Sequence, residues 1–193
     1  MQLAELQTKA LQVEKTGVAI NEKGYIIVDE HLQTSQPGIY AIGEVNGGPA
    51  FTHISYNDYI VVSKNILQHS NESIKGRPVP YTMFTDPQLG RIGLTEKEAR
   101  KQGLDIEVAT LPMGNVARGI ETGETKGMMK AIVDKGTKLV LGAAVLSAEG
   151  GEVMSVLQMA MQGNITYQQI SEMIFAHPLY AESLNNLFMT LDK

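Results

Sequence analysis

Two short apolar runs near the start of the chain have the pattern of buried β-strands. Residues 24–29 are rich in β-branched and aromatic side chains after a glycine-containing turn, and residues 38–43 form a continuous apolar run bounded by glycines. Side chains of the first kind fit a pleated surface, and an unbroken apolar run of this length is typical of a strand buried on both faces. The sequence therefore predicts two strands here, the second buried on both faces.

The next apolar positions recur at helical spacing. A helix is predicted from about residue 52 to residue 67, with Tyr59, Val62 and Ile66 sharing one face. The polar stretch at residues 69–76 ends in glycine, which predicts a linker.

A second piece of the chain alternates strand and turn signals. It opens with a proline-bounded, apolar-aromatic stretch over residues 78–93, and a strand is predicted at 105–113. Two further apolar strands, 126–134 and 138–147, are joined by a short glycine-containing turn, which is a hairpin signal.

Two capping boxes predict where short helices begin. In each, a threonine hydroxyl can accept from the amide three residues later, whose side chain reaches back. Thr95 with Glu98 is the first pair, and Thr166 with Gln169 is the second, opening a helix predicted to continue through Ile174.

Helical spacing also predicts a helix over residues 149–162 and a last helix after Pro178, whose apolar stripe consists of Leu184, Leu187, Phe188 and Leu191. Strands followed by segregated helices favour an α+β fold. We expect three segments: a first piece at residues 1–70, a linker at 71–77 and a second domain at 78–193.

Composition and charge exclude several classes of function. The chain has 193 residues, of which 43% are hydrophobic, with a formal net charge of −5 and interspersed charges. Because Lys and Arg are not clustered, we expect no nucleic-acid partner and no membrane anchor. No apolar run reaches the roughly 18 residues of a membrane-spanning helix, and the first ten residues lack a secretory apolar core, so the expected location is cytoplasmic.

The chain contains no cysteine. It therefore carries no disulfide, no thiolate metal site and no redox-active thiol pair of its own.

The first candidate site is the end of the predicted strand at residues 38–43. There Gly43 and Glu44 would place a carboxylate at a strand's carboxyl edge, where α/β sheets bind ligands, and the helix after Thr52 would offer free N–H groups. The alternative is a strand, a glycine turn and an exposed glutamate without function.

The second candidate site is the pair His177 and Glu182. Pro178 restrains the backbone after the histidine, and a carboxylate bound to one ring nitrogen would set the tautomer and raise the basicity expected of a general base. The alternatives are a capping or surface histidine. A metal site is not expected, because no other His, Asp or Glu stands at ligand spacing.

The first candidate resembles the second FAD-contacting motif of the flavoprotein disulfide reductases, the group of glutathione reductase, dihydrolipoamide dehydrogenase and mercuric reductase. The matching residues are Thr34, Ile39, Ala41, Gly43 and Glu44. The resemblance implies that Glu44, where the family has aspartate, binds a ribityl hydroxyl of FAD. It also implies that Phe51, Thr52 and His53 lie where backbone amides meet the pyrimidine edge of the flavin.

The second candidate is similar to the H-P-x-x-x-E motif near the C-terminus of the same family, with His177, Pro178 and Glu182 in order. The resemblance implies that the His–Glu pair reaches across a dimer interface to the partner's flavin site and exchanges the proton of a reactive thiol. Leu179 replaces the threonine of many members.

Further segments extend the resemblance over nearly the whole chain from Gly17 onward. Residues 84–96 are similar to the opening of the family's dimerisation domain, and Gly127 and Lys130 fit its G-x-x-K pattern. The stretch at residues 51–55 and the ending at 182–186 look more like bacterial stress-response reductases that act on oxidants or copper.

The resemblance implies an antiparallel sheet with helices on one side, preceded by a remnant of a nucleotide-binding domain. It implies FAD and NAD(P)H as cofactors of a full-length homodimeric oxidoreductase whose substrate is a small-molecule oxidant or a disulfide. The family's Gly-rich FAD and NAD(P)H turns and its paired cysteines do not occur in this sequence. We therefore expect a C-terminal fragment that is inactive alone and holds neither cofactor. The alternatives are a non-catalytic, stand-alone dimerisation module and an unrelated α+β ligand-binding domain.

Methionine is frequent at adaptable association surfaces but also fills cores. Both readings stay open for the methionines predicted in or beside the sheet and helices, which are Met128, Met129, Met154, Met159, Met161 and Met173.

Overall fold

The computed structural model describes Thr8 and residues 11–192. The N-terminal residues on which the absence of a secretory signal was judged lie almost entirely outside this part. The chain divides into two compact units, Met1–Arg77 and Pro78–Lys193.

The first unit does not contain the two strands predicted from the sequence. The residues of this region pair only through single antiparallel bridges, Ile20 with Ile26, Val28 with Thr34 and Gln33 with Tyr40. The prediction was wrong because a strand buried on both faces needs neighbouring strands and covering layers, and no continuous ladder flanks residues 38–43 in the described part of the unit.

The burial of residues 38–43 also differs from the prediction. Ala41 is buried, but Ile39 and Ile42 on either side of it are exposed. Ala41 joins a small apolar cluster with Val13, Val18 and Ile26, so only one face of this segment is covered.

Helix α1, Thr52–Leu67, confirms the predicted helix. Tyr59 and Ile66 lie on its exposed side, whereas the buried face carries Ile54, Asp58 and Val61. The predicted apolar positions are therefore not the ones that hold the helix in the unit.

The polar segment after α1 has no regular secondary structure but makes hydrogen bonds to earlier parts of the first unit. The backbone N–H of Ile74 donates to the carbonyl of Glu30 at 2.9 Å, and Asn65 exchanges two hydrogen bonds with the backbone of Glu72.

The described part of the second unit contains one antiparallel sheet of five strands. The strands are β1 (Tyr81–Met83), β2 (Gln88–Gly93), β3 (Ile106–Pro112), β4 (Met128–Asp134) and β5 (Val140–Ser147). Their spatial order is β1-β2-β5-β4-β3. The predicted hairpin of β4 and β5 lies at the centre of the sheet.

The helices of this unit are α2 (Glu96–Lys101), α3 (Ala117–Thr122), α4 (Gly150–Gln162), α5 (Tyr167–Ser171) and α6 (Leu184–Met189). Together with the sheet they confirm the predicted α+β class.

The main core lies between one face of the sheet and helices α4 to α6. Side chains of alternate sheet positions, such as Ala131 and Val145, meet Leu157 of α4 and Phe188 of α6 in one buried cluster. Three of the four residues predicted for the stripe of the last helix are fully buried, and Leu191 packs against them.

A smaller cluster lies on the opposite face of the sheet beneath α2. Ile132 belongs to it together with Ala99 of α2 and Ile106, and successive strand residues point to opposite faces. The part of this sheet face that α2 does not cover is partly exposed to solvent.

Both predicted capping boxes are present with reciprocal hydrogen bonds. The helix opened by Thr166 ends at Ser171, however, and the prediction that it continues through Ile174 was wrong, because Ile174 is 98% exposed and has no core to pack against. The last helix is preceded by a 3₁₀ turn at Ala181–Ser183.

The methionines divide between the core and the surface. Met129 and Met154 are buried and Met161 is partly buried against the core, whereas Met128, Met159 and Met173 are exposed.

Candidate functional site

The candidate cofactor contacts lie on a tight turn in the first unit. After the extended residue Ile42 the chain enters a 3₁₀ turn, Gly43–Asn46, in which Gly43 has a φ of +76°. A side chain is strained in that conformation, and a Cβ here would lie 2.8 Å from Ser55 Oγ of α1. Glycine thus brings this turn close to the helix.

A buried carboxylate fixes the turn. Asp58, which is 1% exposed, accepts a hydrogen bond from the backbone N–H of Gly43 at 2.8 Å through Oδ2. The same oxygen is 3.4 Å from Nδ2 of Asn46, which also donates to the carbonyl of Ala41. Arg77 Nη1 lies 2.5 Å from Oδ1; this is an ion pair without the geometry of a hydrogen bond.

Glu44 projects from the turn. Its side chain is exposed and makes no hydrogen bond or ion pair within the described part of the chain. The exposed carboxylate fits both a ligand contact and a surface glutamate without function.

The start of α1 is a second polar surface of the first unit. Phe51 occupies the position before the helix and gives no side-chain cap, and the first turn contains no acidic residue. Its ring stacks on that of His53 with centroids 5.1 Å apart, and Thr52 is exposed. The first turn itself therefore supplies no acidic side chain to offset the positive end of the helix dipole.

The other candidate pair, His177 and Glu182, lies in the second unit. His177 Nδ1 is 3.0 Å from each oxygen of the Glu182 carboxylate, and Oε2 also accepts from the N–H of Leu179 at 3.4 Å. The peptide bond from His177 to Pro178 is cis. The side chains of the pair are 63% and 30% exposed, so the imidazole is at the surface of the chain.

The contact shifts both pKa values in the directions expected of an ion pair. The hydrogen bond and charge of Glu182 raise the pKa of His177 above its ordinary 6.5. The hydrogen bond from His177 lowers the pKa of Glu182 below 4.5. The pair therefore stabilises the protonated imidazole.

A buried tyrosine anchors the loop that carries the pair. Tyr180 is buried in the main core, and its hydroxyl lies 2.7 Å from Thr122 Oγ1 of α3. Because Tyr180 stands between the two partners in sequence, this contact restrains the segment joining them.

Sequence reasoning missed Asp58, Arg77, Tyr180 and Thr122. One signal could have found Asp58: it falls on the same helical face as Ile54 and Val61, and an acidic residue at a core position needs a buried partner. Nothing local indicates Arg77 or Thr122, since their partners are 19 and 58 residues away in the chain.

Neither a metal cluster nor a membrane-spanning helix occurs in the described part of the chain. No group of three or more His, Cys, Asp or Glu side chains there could hold a metal ion, and none of its helices combines the length and apolarity needed to cross a bilayer.

Two family models match most of the chain. The model described as pyridine nucleotide-disulphide oxidoreductase, dimerisation domain, matches residues 79–188, and the model described as pyridine nucleotide-disulphide oxidoreductase matches residues 4–58.

Curated relatives are similar over almost the whole chain. The probable pyridine nucleotide-disulfide oxidoreductase RclA of Escherichia coli is 41% identical over 94% of this chain and 41% of the relative. Mercuric reductase of Staphylococcus aureus is 33% identical over 96% of this chain and 34% of the relative. The chain thus spans well under half the length of these relatives.

Solved structures agree with the fold. The Cu(II) complex of the HOCl-induced flavoprotein disulfide reductase RclA from Escherichia coli matches with a TM-score of 0.90 and 40% identity, over 95% of this chain and 42% of that one. LpdA from Mycobacterium tuberculosis matches with the same TM-score at 22% identity, over 99% of this chain and 42% of that one, a likeness of fold alone.

Proposed function

Because the chain belongs to the pyridine nucleotide-disulphide oxidoreductase family, we propose that it is the C-terminal part of an FAD-dependent NAD(P)H oxidoreductase. In this proposal it supplies the homodimer interface and a His–Glu acid–base pair that serves the flavin and thiol site of the partner subunit. Its functional segments are residues 1–70, the connection 71–77 and the dimerisation domain 78–193; the division into compact units after Arg77 supports the last boundary.

The observation that carries the proposal is the exposed His177–Glu182 pair. With Nδ1 engaged by Glu182, the other ring nitrogen, Nε2, is the one that takes and returns a proton. A histidine whose pKa is raised by a carboxylate partner suits that task. Its 63% exposure is what a residue reaching another subunit requires.

The first unit fits the role of a flavin contact. Gly43 lets the turn lie against α1, Glu44 offers an exposed carboxylate to a ribityl hydroxyl, and the start of α1, whose first turn has no acidic residue, offers a positive dipole end. Phe51, Thr52 and His53 would present backbone at that end. FAD would supply the electron transfer between the nicotinamide and the thiol pair; this chain would orient it and hold protons at Nε2 of His177.

Association through the second unit is supported by the apolar side chains beside the pair. Ile174 and Leu179 flank His177 in sequence and both are exposed. Burying such side chains against a second copy is favourable, and we place the homodimer contact here.

The proposed substrate is a small-molecule oxidant or a disulfide. The RclA relative is named for induction by HOCl and was solved with Cu(II), which favours an oxidant or metal-linked reaction over glutathione reduction. We place the enzyme in the cytoplasm, with no nucleic-acid partner.

The test is the replacement His177→Ala in the full-length enzyme. Loss of a positioned acid–base group should lower thiol-dependent turnover by about 10²–10⁴-fold, measured as NAD(P)H oxidation across a pH series. Glu182→Gln should instead keep part of the activity and shift the histidine limb of the pH profile to lower pH, because the neutral amide no longer favours the imidazolium.

The matched control is His69→Asn, which removes an exposed histidine of the first unit and retains a residue type tolerant of its positive φ. It should leave turnover unchanged. If His177→Ala were equally silent, the second unit would be a non-catalytic dimerisation module.

A further inference from the structure

The open face of the sheet carries a groove beside α2. The groove encloses about 540 Å³, within the range of small-molecule sites. Its walls carry four cations, Arg91, Lys97, Arg100 and Lys130, and one carboxylate, Glu96. In a chain with a formal net charge of −5, this is a local inversion of charge.

The sheet register explains why two of these cations face each other. Arg91 of β2 and Lys130 of β4 are both paired with Ala144 of β5, which lies between them. Adjacent strands are about 4.8 Å apart, so the two long side chains rise about 10 Å apart from one face. The small alanine leaves a trough between them.

Glu96 engages two of the four cations. Its oxygens lie 2.6 Å from Lys130 Nζ and 2.8 Å from Arg100 Nη2. These contacts, the one with Lys130 first, lower the pKa of Glu96, so this carboxylate stays ionised at neutral pH and holds both cations at the groove.

The other two cations form no direct ion pair in the described part of the chain, although the hydrogen bonds from Thr95 and, to a smaller extent, the charge of Arg91 lower the pKa of Glu98. Arg91 makes one long hydrogen bond, from Nη2 to the carbonyl of Gly93 at 3.3 Å, and Lys97 is exposed at the start of α2. Most of the five N–H donors of Arg91 and the three of Lys97 therefore have no acceptor in the described part of the chain.

The groove is not polar throughout. Ala144 and Ile132 line its apolar floor, to which Ile132, being 2% exposed, adds little accessible surface. A ligand that matches both features carries negative charge at its edge and an apolar body.

We propose that the α2 groove binds a small organic polyanion, with two or more phosphate or carboxylate charges on a compact apolar body. Arg91 makes the directed, charge-assisted hydrogen bonds, Lys97 adds a mobile charge, and the Glu96 cluster keeps Lys130 and Arg100 in place. The apolar body rests chiefly on Ala144.

The test is calorimetric titration of the 193-residue chain at low ionic strength with ADP as an anionic, flat-bodied probe. Adenosine measures binding of the apolar body without the phosphate charges, and pyrophosphate measures binding of the charges without the apolar body. We expect saturable binding of ADP, weaker binding of pyrophosphate and none of adenosine. Arg91→Gln should weaken ADP binding by about tenfold or more, and Lys97→Gln should also weaken it.

Lys101→Gln is the matched control, because Lys101 belongs to the same helix and has the same charge but does not line the groove. It should change affinity by less than about twofold. Equal losses in Arg91→Gln and Lys101→Gln would reduce the effect to general charge attraction and overturn the proposal. Binding of adenosine as tight as that of ADP, or no saturable ADP binding, would overturn it as well. Thermal unfolding of each variant without ligand shows whether the substitution has disrupted the fold. Because Lys97 is exposed, Lys97→Gln is expected to fold normally and provides a second test of the groove.

Discussion

The protonation of His177 depends chiefly on a single neighbour. Glu182 contacts Nδ1 with both carboxylate oxygens, and this hydrogen bond is the largest cause of the raised pKa of the imidazole, ahead of the charge of Glu182 and a small contribution from Glu121. The protonation state that an acid–base role requires is therefore set by one residue five positions away.

We predict that Glu182→Gln lowers the pKa of His177, because the amide neither carries the charge nor accepts as strongly. An NMR titration of the imidazole in the second unit measures this. Glu172→Gln, the same charge change at an exposed glutamate that does not touch the ring, should leave the pKa unchanged. A wild-type imidazole titrating at or below 6.5 would contradict the geometry.

The pair also makes stability depend on pH in a defined window. The raised pKa of His177 gives stabilisation that is complete below 6.5 and lost as pH rises through the folded value. The lowered pKa of Glu182 gives stabilisation that is complete above 4.5 and lost as pH falls through the folded value. The contribution is therefore greatest between these limits, and modest because the pair is solvent-exposed.

A stability prediction for the first unit concerns the buried carboxylate of Asp58. Asp58→Ala should destabilise this unit by about 3 kcal/mol, because it leaves Arg77 and the Gly43 amide without their partner. Urea unfolding gives the free energy, and hydrogen exchange of the Gly43 amide shows whether the turn opens. Glu22→Ala, at an exposed site, should have no such effect; unchanged protection of Gly43 in Asp58→Ala would show that Asp58 does not hold the turn.

At the scale of elements, α4 lies against the sheet because glycines remove side chains from the contact. A Cβ at Gly90 of β2 would lie 2.4 Å from the carbonyl oxygen of Gly150 and 2.7 Å from Cβ of Met154. A backbone carbonyl cannot move aside as a flexible side chain can, so this approach specifies glycine.

We predict that Gly90→Ala destabilises the second unit by about 2 kcal/mol through overpacking. Gly114→Ala is the control, since a Cβ there meets nothing within 4 Å. Thermal unfolding of both variants measures the difference, and equal melting temperatures would show that α4 can shift at no cost.

At the scale of the whole molecule, the chain spans about two-fifths of the RclA relative. The family's Gly-rich nucleotide turns are not in its sequence. We predict that the isolated chain does not retain FAD through gel filtration, because the contacts of Glu44 and the start of α1 amount to a small part of a dinucleotide site. The flavin absorbance of the purified chain measures this, and a yellow protein would contradict the prediction.

The sequence alone predicted what depends on near neighbours. The capping boxes at Thr95 and Thr166, the central hairpin, helix α1 and the His177–Glu182 contact all join residues within a few positions of each other, so spacing and residue type suffice. The strand predicted at residues 38–43 was wrong, because an apolar run does not reveal whether neighbouring strands will be present to cover it.

Contacts between distant parts of the chain were decided only by the tertiary structure. The ion pair of Asp58 with Arg77, the Tyr180–Thr122 contact and the row formed by Arg91, Ala144 and Lys130 depend on the strand order and the path of the backbone. Local propensity carries no information about that path, because the free energy that selects it comes from burying side chains far apart in sequence.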